Sequence, residues 1–303
     1  MYAVVFHPDG IHLLGGGNDG IQQWSLADGQ EVGRQTEMQL RAISVSRNHQ
    51  WIVCGTSSGA SVWDAGLREK VVVVEGTNVV YAVDVSPDST RFATGTGLEE
   101  ASIWSISSGK RLVGPLMGRH DGDVTGIKFS PNGEHVATAC KESAIHIFDS
   151  HTGDELMSIE TTSPSRRINT PLAWSNDGQR IFAASQHNNI RSFDVSTGSQ
   201  LAEMQIPNDG TTVESIALAN NGKFLATYAG STISFLDAGT LTRIGPVIKD
   251  SANIYSIALS PDSNALATGR YGAKISMRTL GHILPDIYGP FHVSIWPPFC
   301  RPH

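Results

Sequence analysis

The sequence predicts an all-β chain wound as a seven-bladed propeller, with four antiparallel strands per blade. The first observation is a repeated unit. A short apolar segment followed by a turn recurs with its shared large position at Phe6, Val45, Val85, Phe129, Trp174, Leu218 and Leu259, at spacings of 39, 40, 44, 45, 44 and 41 residues. A period near forty that holds four short strands is the signature of propeller blades, which bury a core only by stacking on their neighbours. The second observation is the turn chemistry between those strands, Pro8-Asp9-Gly10, Pro87-Asp88, Pro131-Asn132-Gly133, Asn176-Asp177-Gly178 and Pro261-Asp262. There proline presets φ, and glycine or asparagine tolerates positive φ. The predicted blades span residues 1–39, 40–79, 80–123, 124–169, 170–212, 213–253 and 254–295, in one domain, with an irregular tail at 296–303.

Within each unit, strand a is the small, apolar segment just described, suited to a crowded inner edge. Strand b follows: Leu13–Gly17, Ile52–Thr56, Phe92–Thr96, Val136–Cys140, Ile181–Ser185, Leu225–Ala229 and Leu266–Arg270. Its small residues leave room for blades to pack face to face. Strand c ends on a large anchor, Trp24, Trp63, Trp104, Phe148, Phe193, Leu236 and Met277 in turn. Each is expected to wedge between blades, and truncating a fully buried Trp104 to alanine would cost about 3–5 kcal/mol. Strand d carries Gly114-Pro115, Gly245-Pro246 and Gly289-Pro290 at similar places. Proline has no N–H to donate, so strand d belongs on the outer rim. The same dipeptide predicts a fourth strand for blade seven around Tyr288–Ser294.

Composition narrows the function. With 40% hydrophobic and 17% charged residues, the balance is that of a folded globular protein. The net charge of -7 weighs against nucleic acid or an anionic membrane as partner, since both require a basic face. Three cysteines, Cys54, Cys140 and Cys300, form no paired framework. Cys54 and Cys140 stand in strand b and are expected to be buried thiols. Met1 leads straight into a strand, and no apolar run approaches the length of a membrane span. The expected setting is intracellular, cytoplasmic or nuclear.

Two strings look catalytic. Gly15-Gly16-Gly17-Asn18-Asp19-Gly20 satisfies G-x-G-x-x-G, but a dinucleotide site needs a helix after the glycines to meet the pyrophosphate. Here Ile21-Gln22-Gln23-Trp24 follows, which reads as a strand. Gly55-Thr56-Ser57-Ser58-Gly59 satisfies G-x-S-x-G around Ser57, yet a nucleophile elbow also requires strand, turn and helix. A metal in the axial channel would need several converging carboxylates or imidazoles. The entries of strand a offer only Glu214 among Tyr2, Arg41, Tyr81, Thr125, Pro171 and Tyr255. His146, Asp149, His151 and Asp154 cluster in sequence, but they straddle strand c and its outer turn and are expected to be solvated. No catalytic residue, cofactor or metal is expected.

The lines resemble WD-repeat propellers over roughly residues 2–294: Ser-Pro-Asp turns, a Leu-Ala-Thr-Gly strand at 266–269 and the Ile-Phe-Asp ending at 147–149 stand in register. The wording of Gly109–Asp149 is similar to fungal WD-repeat proteins, many of which form the sensor region of NACHT-type receptors. The chain departs from the family where a buried set of His, Ser/Thr, Trp and Asp is common. Only blade four keeps a likeness, in His120, Thr138, Glu142 and Phe148, and Trp-Asp itself occurs only at Trp63-Asp64. Tyr2 already stands in a strand a, so each blade is expected to be contiguous, without the N-terminal strand that completes the last blade in many members.

The resemblance implies a non-catalytic scaffold that docks proteins or peptides on its loops. Loops on a rigid frame are where binding residues concentrate, and the d–a connections share one face with the b–c turns. On that face Arg119, Lys141, Arg166 and Arg167 are expected to form a basic arc for an acidic segment of a partner, with Arg270 and Tyr271 beside it. Arginine and tyrosine are favoured at interface hot spots. Two alternatives stand beside the free-standing scaffold: the ligand-sensing region of a larger NACHT-type receptor, and a propeller hydrolase using Ser57 or an axial metal.

Overall fold

A computed structural model describes residues 3–36, 39–76, 78–98, 100–116, 122–140, 144–160, 172–184, 189–206, 213–270 and 274–288 of the chain. Strands a to d of blade one are Ala3–Phe6, His12–Gly17, Gly20–Ser25 and Glu31–Gln35, and those of blade two are Leu40–Val45, Trp51–Thr56, Gly59–Asp64 and Lys70–Glu75. Blade three comprises Val80–Val85, Arg91–Thr96, Ala101–Ser105 and Arg111–Val113, and blade four Val124–Phe129, His135–Cys140, Ala144–Asp149 and Glu155–Glu160. Blade five comprises Leu172–Trp174, Arg180–Ala184, Asn189–Asp194 and Gln200–Gln205, and blade six Val213–Leu218, Phe224–Ala229, Thr232–Asp237 and Arg243–Lys249. Blade seven has Ile254–Leu259, Ala265–Arg270 and Lys274–Thr279. In every sheet the strands pair in chain order and antiparallel, which leaves strand d on the rim where present. Pro246, inside strand d of blade six, occupies such an edge.

The core is not one mass. Among the described residues it divides into seven apolar clusters, one per blade–blade interface. Leu14, Ile21 and Leu40 join blades one and two, and Val62, Val80 and Phe92 join two and three. Ile103, Val124 and Phe148 join three and four; Ile147, Trp174 and Phe193 join four and five. Phe182, Val213 and Leu236 join five and six, while Tyr228, Phe235 and Ile254 join six and seven. Val4, Leu13, Ala258 and Ala267 join blade seven to blade one. This last interface closes the ring by face packing between blades that are each contiguous in sequence. The Val4 N–H also donates to Ser256 Oγ at 3.0 Å across the same seam.

Elsewhere, side chains of strand a bridge to the next blade in a similar way. Ser44 Oγ accepts from Val85 N–H at 3.3 Å, and Asp84 Oδ2 accepts from Phe129 N–H at 2.9 Å. Such bonds satisfy backbone donors that the sheets leave open.

The anchors differ in depth. Trp63, Phe148, Phe193 and Leu236 are buried, whereas Trp24, Trp104 and Met277 are half-buried. Trp104 stacks on Phe92 and donates from Nε1 to Thr94 Oγ1 at 2.9 Å. In blade seven the register departs from the expectation. The anchor pairs with the first large residue of strand b, as in Leu13↔Trp24, Ile52↔Trp63 and Leu225↔Leu236. Leu266 pairs with Arg278, which therefore takes the anchor position, and Met277 faces the other side of the sheet. A slip of one residue in a strand exchanges its faces.

After strand c of blade seven the chain makes a helical turn, Pro285–Tyr288, instead of entering a strand at Tyr288. The Tyr288 hydroxyl donates to the Ser263 carbonyl, and its ring packs edge-on against Phe224. Residues 289–294 of the expected fourth strand lie outside the described residues, as does the tail at 296–303.

Candidate functional site

The two catalytic-looking strings are hairpin turns. Gly17 pairs with Gly20 across a turn at Asn18-Asp19, and the chain continues as strand c. Thr56 pairs with Gly59 around Ser57-Ser58 in the same way. Ser57 opens into a shallow cleft of about 280 Å³ lined by Gln39, Thr56, Ser61 and Lys70 among others, with no histidine or carboxylate in its described lining. At the axis, the Asp84 carboxylate is already engaged, by Lys128 Nζ at 2.8 Å as well as by Phe129 N–H.

His146 corrects the solvated reading. It is 3% exposed, and its Nδ1 lies 2.8 Å from Glu155 Oε1 on strand d. Burial opposes its protonation, but the hydrogen bonds to Cys140 and Glu155 outweigh it and raise the imidazole above its ordinary pKa. Asp149 behaves as a turn cap, accepting from His151 and Thr152 N–H groups at 2.8 and 2.9 Å. Cys54 and Cys140 are buried thiols outside any disulfide.

Of the residues expected to receive a partner, Arg119, Lys141, Arg166, Arg167 and Tyr271 lie outside the described residues. Arg270 is described. It closes strand b of blade seven and donates to Asp250 Oδ1 at 2.9 Å and Ser251 Oγ at 2.8 Å, on the connection from blade six. Arg278 donates to the other oxygen of Asp250 at 2.9 Å. The Asp250 side chain is 2% exposed. Burial alone would raise its pKa, but hydrogen bonding and charge from Arg278, then Arg270, hold it below the usual carboxylate range. Two guanidinium groups thus share one carboxylate. The cluster keeps a net positive charge on a protein of net charge -7.

The opposite face carries the a–b turns, five of which are built to one plan. In blade three Ser86 Oγ donates to Asp88 Oδ1 and accepts from Arg91 N–H at 2.9 Å. Ser46, Ser130, Ser175 and Ser260 accept in the same way from the residue five ahead. Blade one has His7 in the serine position, and the turn is rewired. Asp9 Oδ1 accepts from Ile11 and His12 N–H groups at 2.9 and 3.1 Å. Asp9 Oδ2 then faces two imidazoles, with His7 Nδ1 at 2.9 Å and His12 Nδ1 at 2.6 Å. His7 is 3% exposed, and its Nε2 is buried without a partner. Burial is the largest influence on His7 and holds it below the ordinary imidazole pKa. Burial pushes Asp9 up, but the bonds from His12 and Ile11 prevail and hold it down. None of these three residues was among the expected site residues. The H-x-D-x-x-H spacing was visible at His7, Asp9 and His12, but the turn signal of Pro8-Asp9-Gly10 accounted for the same residues.

Comparison with known proteins sharpens the identity. The model of the anaphase-promoting complex subunit 4 WD40 domain matches residues 98–170. Subunit I of eukaryotic translation initiation factor 3 from Scheffersomyces stipitis is 28% identical over 120 residues, 38% of this chain and 33% of that protein. Protein HIR1 from Kluyveromyces lactis is 41% identical over 90 residues, 24% of this chain and 10% of HIR1. The guanine nucleotide-binding protein subunit beta of Oryza sativa subsp. japonica is 27% identical over 124 residues, 38% of this chain and 32% of that protein. The chain is a WD-repeat β-propeller. The matched stretch covers only a third or less of each of these relatives. Among solved structures, hydrazine synthase of Kuenenia stuttgartiensis superposes with a TM-score of 0.81, over 92% of this chain and 95% of that one. At 12% identity this WD-repeat chain shares the fold with that enzyme, and fold alone does not carry activity.

Proposed function

We propose that this WD-repeat protein is a non-catalytic, intracellular docking platform that binds a protein or peptide on the face formed by its b–c turns and d–a connections. The observation that carries the reading is the ring itself: seven apolar interfaces hold the blades, so the connecting loops are free to vary without unfolding it. Three of the similar proteins are by name subunits: of the anaphase-promoting complex, of translation initiation factor 3, and of a guanine nucleotide-binding protein. The partner segment is acidic, received by Arg119, Lys141, Arg166 and Arg167, with Arg270 and Tyr271 at the border. The excess positive charge of Arg270 and Arg278 over Asp250 supports that polarity.

The test is affinity capture with mass spectrometry, comparing wild type with Arg166→Glu/Arg167→Glu. A partner held by wild type and released by the double variant is the expected result. Equal recovery by both would move the docking surface away from these loops.

A further inference from the structure

We propose that His7, Asp9 and His12 form a binding site for a divalent transition-metal ion of the zinc class. One ligand atom from each residue lies within 4.8 Å of the other two. Two imidazole nitrogens and a carboxylate oxygen are a donor set that suits zinc and its neighbours in the first row, and three protein ligands leave room for water or a partner's side chain.

The hydrogen bonding of the turn points the same way. The Asp9 N–H lies 3.3 Å from His7 Nδ1, so the turn holds this nitrogen close to the aspartate. The same Nδ1 stands 2.9 Å from Asp9 Oδ2. An ion bound here would displace the proton that each imidazole otherwise shares with the carboxylate. A second imidazole, that of His12, meets the same oxygen. None of the five serine-based turns makes this convergence, because a hydroxyl there donates its proton to the aspartate or asparagine.

The protein holds the ligands in place before any ion arrives. Asp9 Oδ1 is tied to two backbone N–H groups, which orients Oδ2. His7 is packed in the protein, with the His49 ring of blade two edge-on at 5.7 Å. His12 and Asp9 have side chains 27% and 20% exposed, which gives an ion a path in.

The test uses the full chain freed of metal, titrated with Co(II) followed by its visible d–d absorption and with Zn(II) followed by calorimetry. Wild type is expected to take up a single equivalent, with Co(II) bands of low coordination number. His12→Gln and Asp9→Asn are expected to lose at least about tenfold in affinity. His151→Gln, which removes an exposed imidazole elsewhere, is expected to bind as wild type does. Far-UV circular dichroism checks that His12→Gln, at a partly exposed position, remains folded. Absence of stoichiometric uptake by wild type, or unchanged affinity in folded His12→Gln, would overturn the site.

Discussion

Gly95 gives the sharpest test of how the blades stack. It is the fourth residue of the apolar run Phe92–Thr96 in strand b, where blades one and two also have glycine, at Gly16 and Gly55. In all three, an added Cβ would strike the opening residue of strand a in the next blade, Leu40, Val80 or Val124. At Gly95 it would lie 2.7 Å from Val124 Cγ1 and 2.8 Å from the Val124 carbonyl oxygen. That carbonyl belongs to a paired strand and cannot shift without moving blade four. The φ of Gly95 is outside the left-handed region, so alanine meets no backbone strain there.

Overpacking of this kind costs about 1–3 kcal/mol. The reduced freedom of the unfolded chain offsets about 0.4–1 kcal/mol of it. Gly95→Ala is therefore expected to lose roughly 1–2 kcal/mol. Gly76→Ala is the control: its nearest neighbour would be Asn78 N at 3.9 Å, so only the chain-entropy gain of up to about 1 kcal/mol remains. Urea titrations followed by circular dichroism should place Gly95→Ala below wild type and Gly76→Ala at or above it. Adding Val124→Ala should make the double variant less costly than the sum of the two singles, since the residues touch. If Gly95→Ala is as stable as wild type, the blades do not meet at the distance described and the steric argument fails.

Other outcomes are checked by similar means. Phe148, fully buried between blades three and four, should lose about 3–5 kcal/mol on change to alanine; half-buried Trp104→Ala should lose less than Phe148→Ala in the same titration. Asp250 has a folded pKa below its unfolded value. Its contribution is therefore complete above the ordinary carboxylate pKa of about 4 and fades as pH falls through the folded value. Asp250→Asn should accordingly be destabilised at pH 7, and its deficit against wild type should narrow in acid. Burial pushes the Cys54 thiol up to about 12. Cys54 should resist alkylation in the native protein at pH 8 and react once urea unfolds it, as read by peptide mass spectrometry.

Much of the architecture could be read along the chain because each blade is built from local signals. Strand spacing and turn residues sit within about forty residues of one another, and a period repeats them until noise is averaged out; the edge proline is less regular, since Pro246 lies inside strand d of blade six while Pro115 follows a strand that ends at Val113. The errors came where a local pattern admits two faces. In blade seven the large apolar residue, Met277, looked like the anchor, but pairing with Leu266 selects Arg278. His146 looked like part of a solvated run, yet its strand turns it inward.

What the sequence determined by itself was the repeat, the order of strands within each sheet and the character of the turns. These depend on residues close in the chain. Only the tertiary structure decided which residues from distant positions meet. It closes the ring through Val4, Leu13, Ala258 and Ala267, sets Arg270 and Arg278 on one buried carboxylate, and seats the blade-one turn beside His49 of the next blade. The physical reason is common to all three: burial, register and charge pairing between blades are properties of facing surfaces, and a surface exists only once the blades have stacked.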